Sequence, residues 1–291
     1  MTKEIYPLPI TNEGSLESIR VLKALARAHR FLAELKGVAK SMPNEGILIS
    51  SLTIQEAKDS SAIENIITTH DELFRVGDIK AEKINLAAKE VENYRAALLE
   101  SYHQTLKSGL IRVADILHLH SLIEPNKAGI RKIPGTVIGN ATTKEVIYTP
   151  PQHPDDIHHL LDNLVSYIND DTLSELDPLI KMAIIHHQFE SIHPFYDGNG
   201  RAGRIINILY LVKNDLLDLP ILYLSRYIVR TKSEYYRLLQ SVRDHDDWEN
   251  WVLYILKGIE ETAKESIKFI NQIKALVLET KRRMRNELQS I

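Results

Sequence analysis

The sequence predicts an all-α fold, a helical body that carries one small β-hairpin. Three observations lead there. Apolar residues recur three and four apart along most of the 291 residues. One stretch, IPGTVIGNATTKEVIYTPPQHP at 133–154, reads differently: its β-branched runs TVI and EVIY flank Gly139, Asn140 and Thr142, and Pro150 and Pro151 end it. The 44% hydrophobic and 26% charged residues give the balance of a globular chain long enough to bury a sizeable core in one or two domains.

The elements follow in order. SLESIRVLKALARAHRFLAELKG predicts a first helix with Ser15 as N-cap and Gly37 as its stop. TIQEAKDSSAIENIITTHDELFR predicts a second, with Ile54, Ala57, Ile63, Ile66 and Leu73 on one face. INLAAKEVENYRAALLESYHQTLKSG, DPLIKMAIIHHQFESI and IINILYLV extend the helical pattern, and a long charged helix runs from about Asp247 to the end. No internal repeat and no low-complexity linker interrupts them.

Composition narrows the function. A net charge of −3 and a pI near 6.5 argue against nucleic acid gripped by a wholly basic surface, though not against a local basic patch. With no cysteine there is no disulfide framework, thiolate nucleophile or cysteine-bound zinc, which fits a reducing compartment. MTKEIYPLPITNEGSLES has no apolar signal core, and no segment reaches the roughly 18 uninterrupted apolar residues of a membrane span. The default expectation is a cytoplasmic protein with no membrane partner.

The chemistry concentrates in HPFYDGNGRAGR, 193–204, between two apolar runs. It is either an ordinary interhelical turn or a place built to hold an anion. Gly198-Asn199-Gly200 can turn sharply and aim backbone N–H groups at one point, at the N-terminus of the next helix, which is a natural phosphate site. Arg201 and Arg204, three apart, offer two guanidinium forks. Asp197 is a hard oxygen ligand suited to Mg²⁺ bound together with substrate phosphates. His193 titrates near neutrality and can take a proton from a hydroxyl. The stretch is not a P-loop, since no Lys-Ser/Thr follows and the first glycine is misplaced.

These twelve residues resemble the signature of the Fic (filamentation induced by cAMP) family, H-P-F-x-D/E-G-N-G-R-x-x-R, at every specified position. The resemblance implies a Fic-type helical bundle with a β-hairpin flap and an N-terminal helical extension. It also implies transfer of AMP from ATP to a side-chain hydroxyl of a target protein, with release of pyrophosphate. His193 is then the catalytic base and Asp197 the metal ligand for Mg²⁺. The ATP-binding set is Gly198, Asn199, Gly200, Arg201, Ala202, Gly203 and Arg204, with the pair Tyr235 and Tyr236 approaching the adenine. An aromatic pair of this kind is as often simple core packing. The hairpin at 133–154 corresponds to the flap that docks the target segment by main-chain pairing.

A second constellation is SSAIEN, where Ser60 and Glu64 lie one helical turn apart. By itself it is a polar edge on an amphipathic helix. It also resembles the Fic inhibitory motif S/T-x-x-x-E-G/N, with Ser60, Glu64 and Asn65 at the matching positions, which implies that Glu64 pairs with Arg204 and occupies the γ-phosphate's place. The likeness spans about residues 5–260 and divides the chain into an N-terminal region 1–80, a catalytic domain 81–260 and a C-terminal charged helix 261–291.

Two classes of function stay open at this level. One is an autoinhibited protein adenylyltransferase acting on a Ser, Thr or Tyr hydroxyl, with AMP removal by the same site as a variant of it. The other is a nucleotide-sensing regulatory module with little catalysis. A homodimer is expected by analogy with relatives that carry an inhibitory helix. DNA binding is not expected, because the basic run at 281–285 falls in the last turns of a helix, where cations commonly face solvent. The adjacent His186 and His187 point in different directions on a helix and are not expected to share a metal.

Overall fold

A computed structural model of the chain describes residues 5–69, 72–73, 85–127, 129–139 and 145–289. In chain order the helices are α1 (Ile19–Lys40), α2 (Glu45–Ile63), α3 (Leu86–Ser108), α4 (Val113–Ile123), α5 (Pro154–Asn169), α6 (Pro178–Ile192), α7 (Asn199–Lys213), α8 (Ser225–Arg230), α9 (Lys232–His245) and α10 (Trp248–Gln289). Short 3₁₀ turns at Glu13–Leu16 and Asp171–Leu173 complete the helical part. Strands β1 (Ile138–Gly139) and β2 (Val146–Tyr148) form one antiparallel hairpin, with Ile138 opposite Tyr148. The expected turn residues Asn140 and Thr142 lie outside the described residues.

The centre of the molecule is the pair α6 and α7. From Leu179 to Ile192 every residue of α6 is buried, and α7 is buried on nearly all sides. A helix buried all round needs no polar face, which is why these runs read as almost continuously apolar. The loop carrying the signature joins them, so it starts and ends in rigid core. Phe195 fixes it from below: fully buried, it stacks on His120 with ring centroids 3.6 Å apart and leans on Phe189. Truncating such a ring costs about 3–5 kcal/mol.

α1 packs along α10, and both helices bury apolar side chains, Val21, Ala24, Ala28, Leu32 and Leu35 on α1 and Ile255, Ile259 and Ala263 on α10. From about residue 275 to residue 286 the side chains of α10 are largely exposed. Two helix boundaries differ from expectation. The N-cap of α1 is Ser18, whose hydroxyl accepts from Val21 N–H at 3.2 Å, while Ser15 sits in a 3₁₀ turn and Gly37 lies inside the helix. One glycine costs a helix only about 1 kcal/mol, less than the burial of Ala39 and Leu35 beside it returns.

The second helix also shifts. It begins eight residues earlier than Thr53, with Asn44 as its N-cap, and stops at Ile63. The stop has a local cause: Asn65 adopts φ 64°, a left-handed conformation that asparagine tolerates. Glu64 therefore ends the helix as its C-cap and its side chain swings toward α7. No helix among the described residues is long and apolar enough to cross a membrane.

Candidate active site

The site lies where the C-terminus of α6, the N-terminus of α7 and the C-terminus of α2 meet. His193 is the C-cap of α6, at φ 49°, and its N–H closes the helix on the Phe189 carbonyl at 3.0 Å. The ring is half-buried, and Nδ1 is buried with no hydrogen-bond partner. Burial, then the charges of Arg131 and Arg243, push its pKa down to about 4. The imidazole is thus neutral across the neutral pH range and has a nitrogen free to accept.

Gly198 is the N-cap of α7, at φ 74°. A side chain there would be strained and would press on Glu124, Ile123 and His120. Asn199 does not face outward. Its Oδ1 accepts from Phe195 N–H and its Nδ2 donates to the Phe195 carbonyl, both at 2.8 Å, so it staples the loop rather than lining it. Asp197 does face outward: Oδ1 accepts from Gly198 N–H at 2.8 Å and Oδ2 from Lys127 Nζ at 2.7 Å. Partial burial opposes its charge, but the Lys127 and Gly198 bonds prevail and its pKa lies below the ordinary value.

The two arginines diverge. Arg201 is buried and donates to Glu124 Oε1 at 2.5 Å and to Glu90 Oε2 at 3.3 Å. Arg204 reaches the other way, from Nε to Ser60 Oγ (2.8 Å) and from Nη2 to the Ser60 carbonyl and Glu64 Oε1 (both 2.9 Å). Burial works against the Arg204 charge, yet Glu64, with Tyr235, Tyr94 and Glu190 nearby, holds its pKa above the ordinary value. Gly200 shows where the Glu64 carboxylate rests, because a Cβ there would overlap Glu64 Oε1 and crowd Arg204 Nη1. The carboxylate lies on the backbone of the first turn of α7, where unpaired N–H groups attract an anion.

Three other expected ATP contacts are placed elsewhere by packing. Ala202 is fully buried, and Gly203 lies against Glu190 and Phe189, allowing α6 and α7 to approach closely. Tyr235 is 1% exposed, its hydroxyl 2.8 Å from His186 Nε2 and its ring among Trp251 and Tyr254, so it is a core aromatic. Tyr236 is 43% exposed and close enough to Glu64, Arg204 and Glu190 to feel their charges. Of the pair, only Tyr236 can offer a face to a ligand. Asn65 is exposed and accepts from Lys232 Nζ at 3.0 Å. His186 and His187 are both buried neutral, on Tyr235 and the Leu239 carbonyl respectively, and do not converge.

Two models of one family cover most of this architecture. The Fic/DOC family N-terminal model matches residues 22–103 and the Fic/DOC family model matches residues 110–211, the span that holds every residue of the signature. The chain belongs to the Fic/DOC family. Its fold is that of solved Fic structures: a Fic family protein from Desulfovibrio desulfuricans G20 superposes with a TM-score of 0.72 at 22% identity, over 91% of this chain and 77% of that one. Fic-1 (residues 134–508) from C. elegans gives 0.67 at 23% identity, over 89% and 75%. Among curated relatives, the protein adenylyltransferase fic-1 of Caenorhabditis elegans is 29% identical over 161 residues, 54% of this chain and 29% of its own length. A probable protein adenylyltransferase of Aquifex aeolicus is 37% identical over 81 residues, 28% of this chain and 24% of its own. The chain thus spans under a third of the length of the curated relatives it matches.

Several residues of the Fic centre were not apparent from the sequence. Lys127, Glu124 and Glu90 neutralise Asp197 and Arg201, and Arg131 binds the loop from outside. Glu56 had a faint signal, lying one turn before Ser60 on the same face of α2. It is buried and accepts from Tyr94 Oη (2.9 Å), from Ser225 N–H (3.3 Å) and from the Ser225 hydroxyl. Burial pushes its pKa up to about 7, against those bonds and the Arg204 charge.

That raised value carries a sign. Between the ordinary 4.5 and about 7, the folded state binds more protons than the unfolded one. Stability from Glu56 is therefore present at low pH, falls as pH rises through that window, and is level above it. The change is on the order of 3 kcal/mol. Thermal melts of wild type and Glu56→Gln at about pH 4.5 and about pH 8 read it, with the variant gaining relative to wild type on the move to high pH. A gap that stays constant contradicts the raised pKa.

Proposed function

We propose that the chain is a protein adenylyltransferase held in check by Glu64, transferring AMP from ATP to a hydroxyl of a target protein. The observation that carries this reading is the placement of Glu64: its carboxylate rests over Gly200 at the N-terminus of α7 while taking the Arg204 guanidinium. That is the position a terminal phosphate needs, and two anions cannot share it. ATP then binds, if it binds at all, without Arg204 on its γ-phosphate, and the α-phosphorus is not presented to the acceptor.

With Glu64 withdrawn, the chemistry follows from the groups on hand. The neutral His193 ring removes the proton of the acceptor hydroxyl, the oxygen bonds to the α-phosphorus, and the bond to pyrophosphate breaks. Arg204 and the N–H groups at the start of α7 stabilise the charge on the phosphates. Asp197 fits a metal of the Mg²⁺ type, being a half-exposed, ionised carboxylate beside the phosphate site. Among the described residues no three His, Asp or Glu converge to hold a metal, so such an ion would share Asp197 with substrate phosphate oxygens, and Lys127 would have to yield. Asp197→Ala should then lower transfer by about 100-fold or more, and chelation of Mg²⁺ should abolish it. Transfer indifferent to both treatments would remove Asp197 from the role.

The flap supplies the acceptor side. Val137, Val146 and Ile147 are exposed on the hairpin, and an exposed edge of this kind can align a segment by main-chain pairing with little sequence demand. The test of the whole reading is the fate of label. Label from α-³²P-ATP should appear on protein with the Glu64→Gly chain; label from the γ-position instead would identify a kinase. No label from either position would leave the nucleotide-sensing module.

A further inference from the structure

Arg131 is one of the largest fully buried side chains of the molecule, at 1% exposure. Among the described residues no carboxylate lies within ion-pair distance of it. A buried guanidinium without a carboxylate is costly, so its hydrogen bonds must account for it. All of them go to carbonyls. Nε donates to the His193 carbonyl at 2.8 Å, and Nη2 donates to the Ile192 carbonyl at 3.4 Å and to that of Pro151. Its own N–H donates to the Pro194 carbonyl at 3.0 Å.

These acceptors belong to two different parts of the site. Ile192 is the last residue of α6 and His193 its C-cap, so Arg131 satisfies carbonyls left open at a helix C-terminus and sets a cation at its negative end. Pro151 lies just past the flap, three residues beyond Tyr148. Neighbouring bonds run between the same two parts: Tyr196 Oη accepts from Lys132 N–H (2.9 Å) and Ile133 N–H (3.0 Å), and Tyr148 Oη donates to the Ser191 carbonyl (3.0 Å). Among the described residues, Arg131 is the one side chain here whose guanidinium bonds both the histidine loop and the base of the flap.

We infer that Arg131 is a positioning residue that fixes the backbone of His193 relative to the flap, so that base and acceptor segment share one frame. The inference rests on the adenylyltransferase reading, in which His193 is the base and the flap holds the acceptor. Arg131 acts on the ring as well as on its place. Burial does most to keep the ring neutral and the charges of Arg131 itself and of Arg243 on α9 add to it, while the backbone of Glu190 on α6 and the Glu64 carboxylate at the end of α2 oppose them.

The experiment compares Arg131→Met and Arg131→Lys in a Glu64→Gly chain, with folding checked by circular dichroism. The His193 Cε1–H resonance is titrated by NMR, and acceptor kcat and KM are measured with α-³²P-ATP. Loss of the bridge should lower kcat by about 100-fold in both variants, since a displacement near 1 Å costs that much, and should raise acceptor KM because the flap base is freed. The titrations should separate: the His193 midpoint rises toward the ordinary imidazole value in Arg131→Met but stays low in Arg131→Lys, which keeps the charge. A folded Arg131→Met chain with unchanged rate and unchanged His193 midpoint overturns the inference. If that variant does not fold, Arg131→Lys decides by its kinetics alone. If Glu64→Gly transfers no AMP, the adenylyltransferase reading fails, while the NMR midpoint still tests the coupling of Arg131 to His193.

Discussion

In a Glu64→Gly chain that labels protein from α-³²P-ATP, the additional change His193→Ala is expected to reduce labelling by about 10²–10⁴-fold, the usual worth of a positioned general base. Among the described residues nothing else in the centre can stand in. His120 is turned away, its Nε2 on the Asp197 carbonyl at 2.9 Å and its ring stacked on Phe195. His186 and His187 are buried in the core, with their pKa values pushed down, to about 3 for His186. Glu190 is within reach of the electrostatics but lies inside the α6–α7 interface against Gly203. The variant should fold, because His193 contributes its backbone, not its ring, to the α6 cap. Nucleotide binding by Glu64→Gly/His193→Ala, followed by isothermal titration, should be nearly unchanged. Labelling that survives removal of His193 would assign the proton transfer to another group.

The signature was legible because its chemistry is contiguous. Twelve adjacent residues supply turn, cations, carboxylate and imidazole, and any fold that places them between two helices brings them together. Glu64 was legible for a different reason: a short motif on a helix matched a known family pattern, and the fold then set Arg204 beside it across 140 residues of sequence. Direction was harder to read. Arg201 and Arg204 share a helical face by spacing, yet their long side chains splay to Glu124 on one side and Ser60 on the other, because each buried cation takes the nearest carboxylate or carbonyl. Tyr235 and Tyr236 are adjacent and therefore point apart, one into the core and one outward; the pattern of the helix, with Leu238, Leu239 and Val242 buried beside Tyr235, already favoured that division. Arg131 was not legible at all. Its partners are carbonyls of residues 192–194 and 151, and backbone acceptors carry no mark in a sequence.

The opposite change of rate is expected from Glu64→Gly alone, and the geometry bounds its size. Breaking a buried ion pair from one side costs about 3–5 kcal/mol, but the Glu64 side chain is 32% exposed, so the pair is worth less than that. Arg204 also keeps its two bonds to Ser60 when Glu64 is gone, so the guanidinium stays in place instead of collapsing elsewhere. A clamp of about 2–3 kcal/mol, released, corresponds to a rise in transfer of roughly 30–150-fold at equal ATP and Mg²⁺. Glycine is compatible with the site, since the residue caps α2 at φ −88° and needs no side chain for the turn, so the loss of stability should be small. The position of Glu64 over Gly200 adds a second signature: the variant should bind ATP more tightly, because the space and the N–H groups at the start of α7 become available together. Glu64→Gln separates the two contributions. It fills the same volume without the charge, so a rate close to that of wild type would make the block steric, and a rate close to that of Glu64→Gly would make it electrostatic. Equal transfer by wild type and Glu64→Gly would end the case for an inhibitory role, leaving the Arg204–Glu64 pair as a link between α2 and α7 and nothing more.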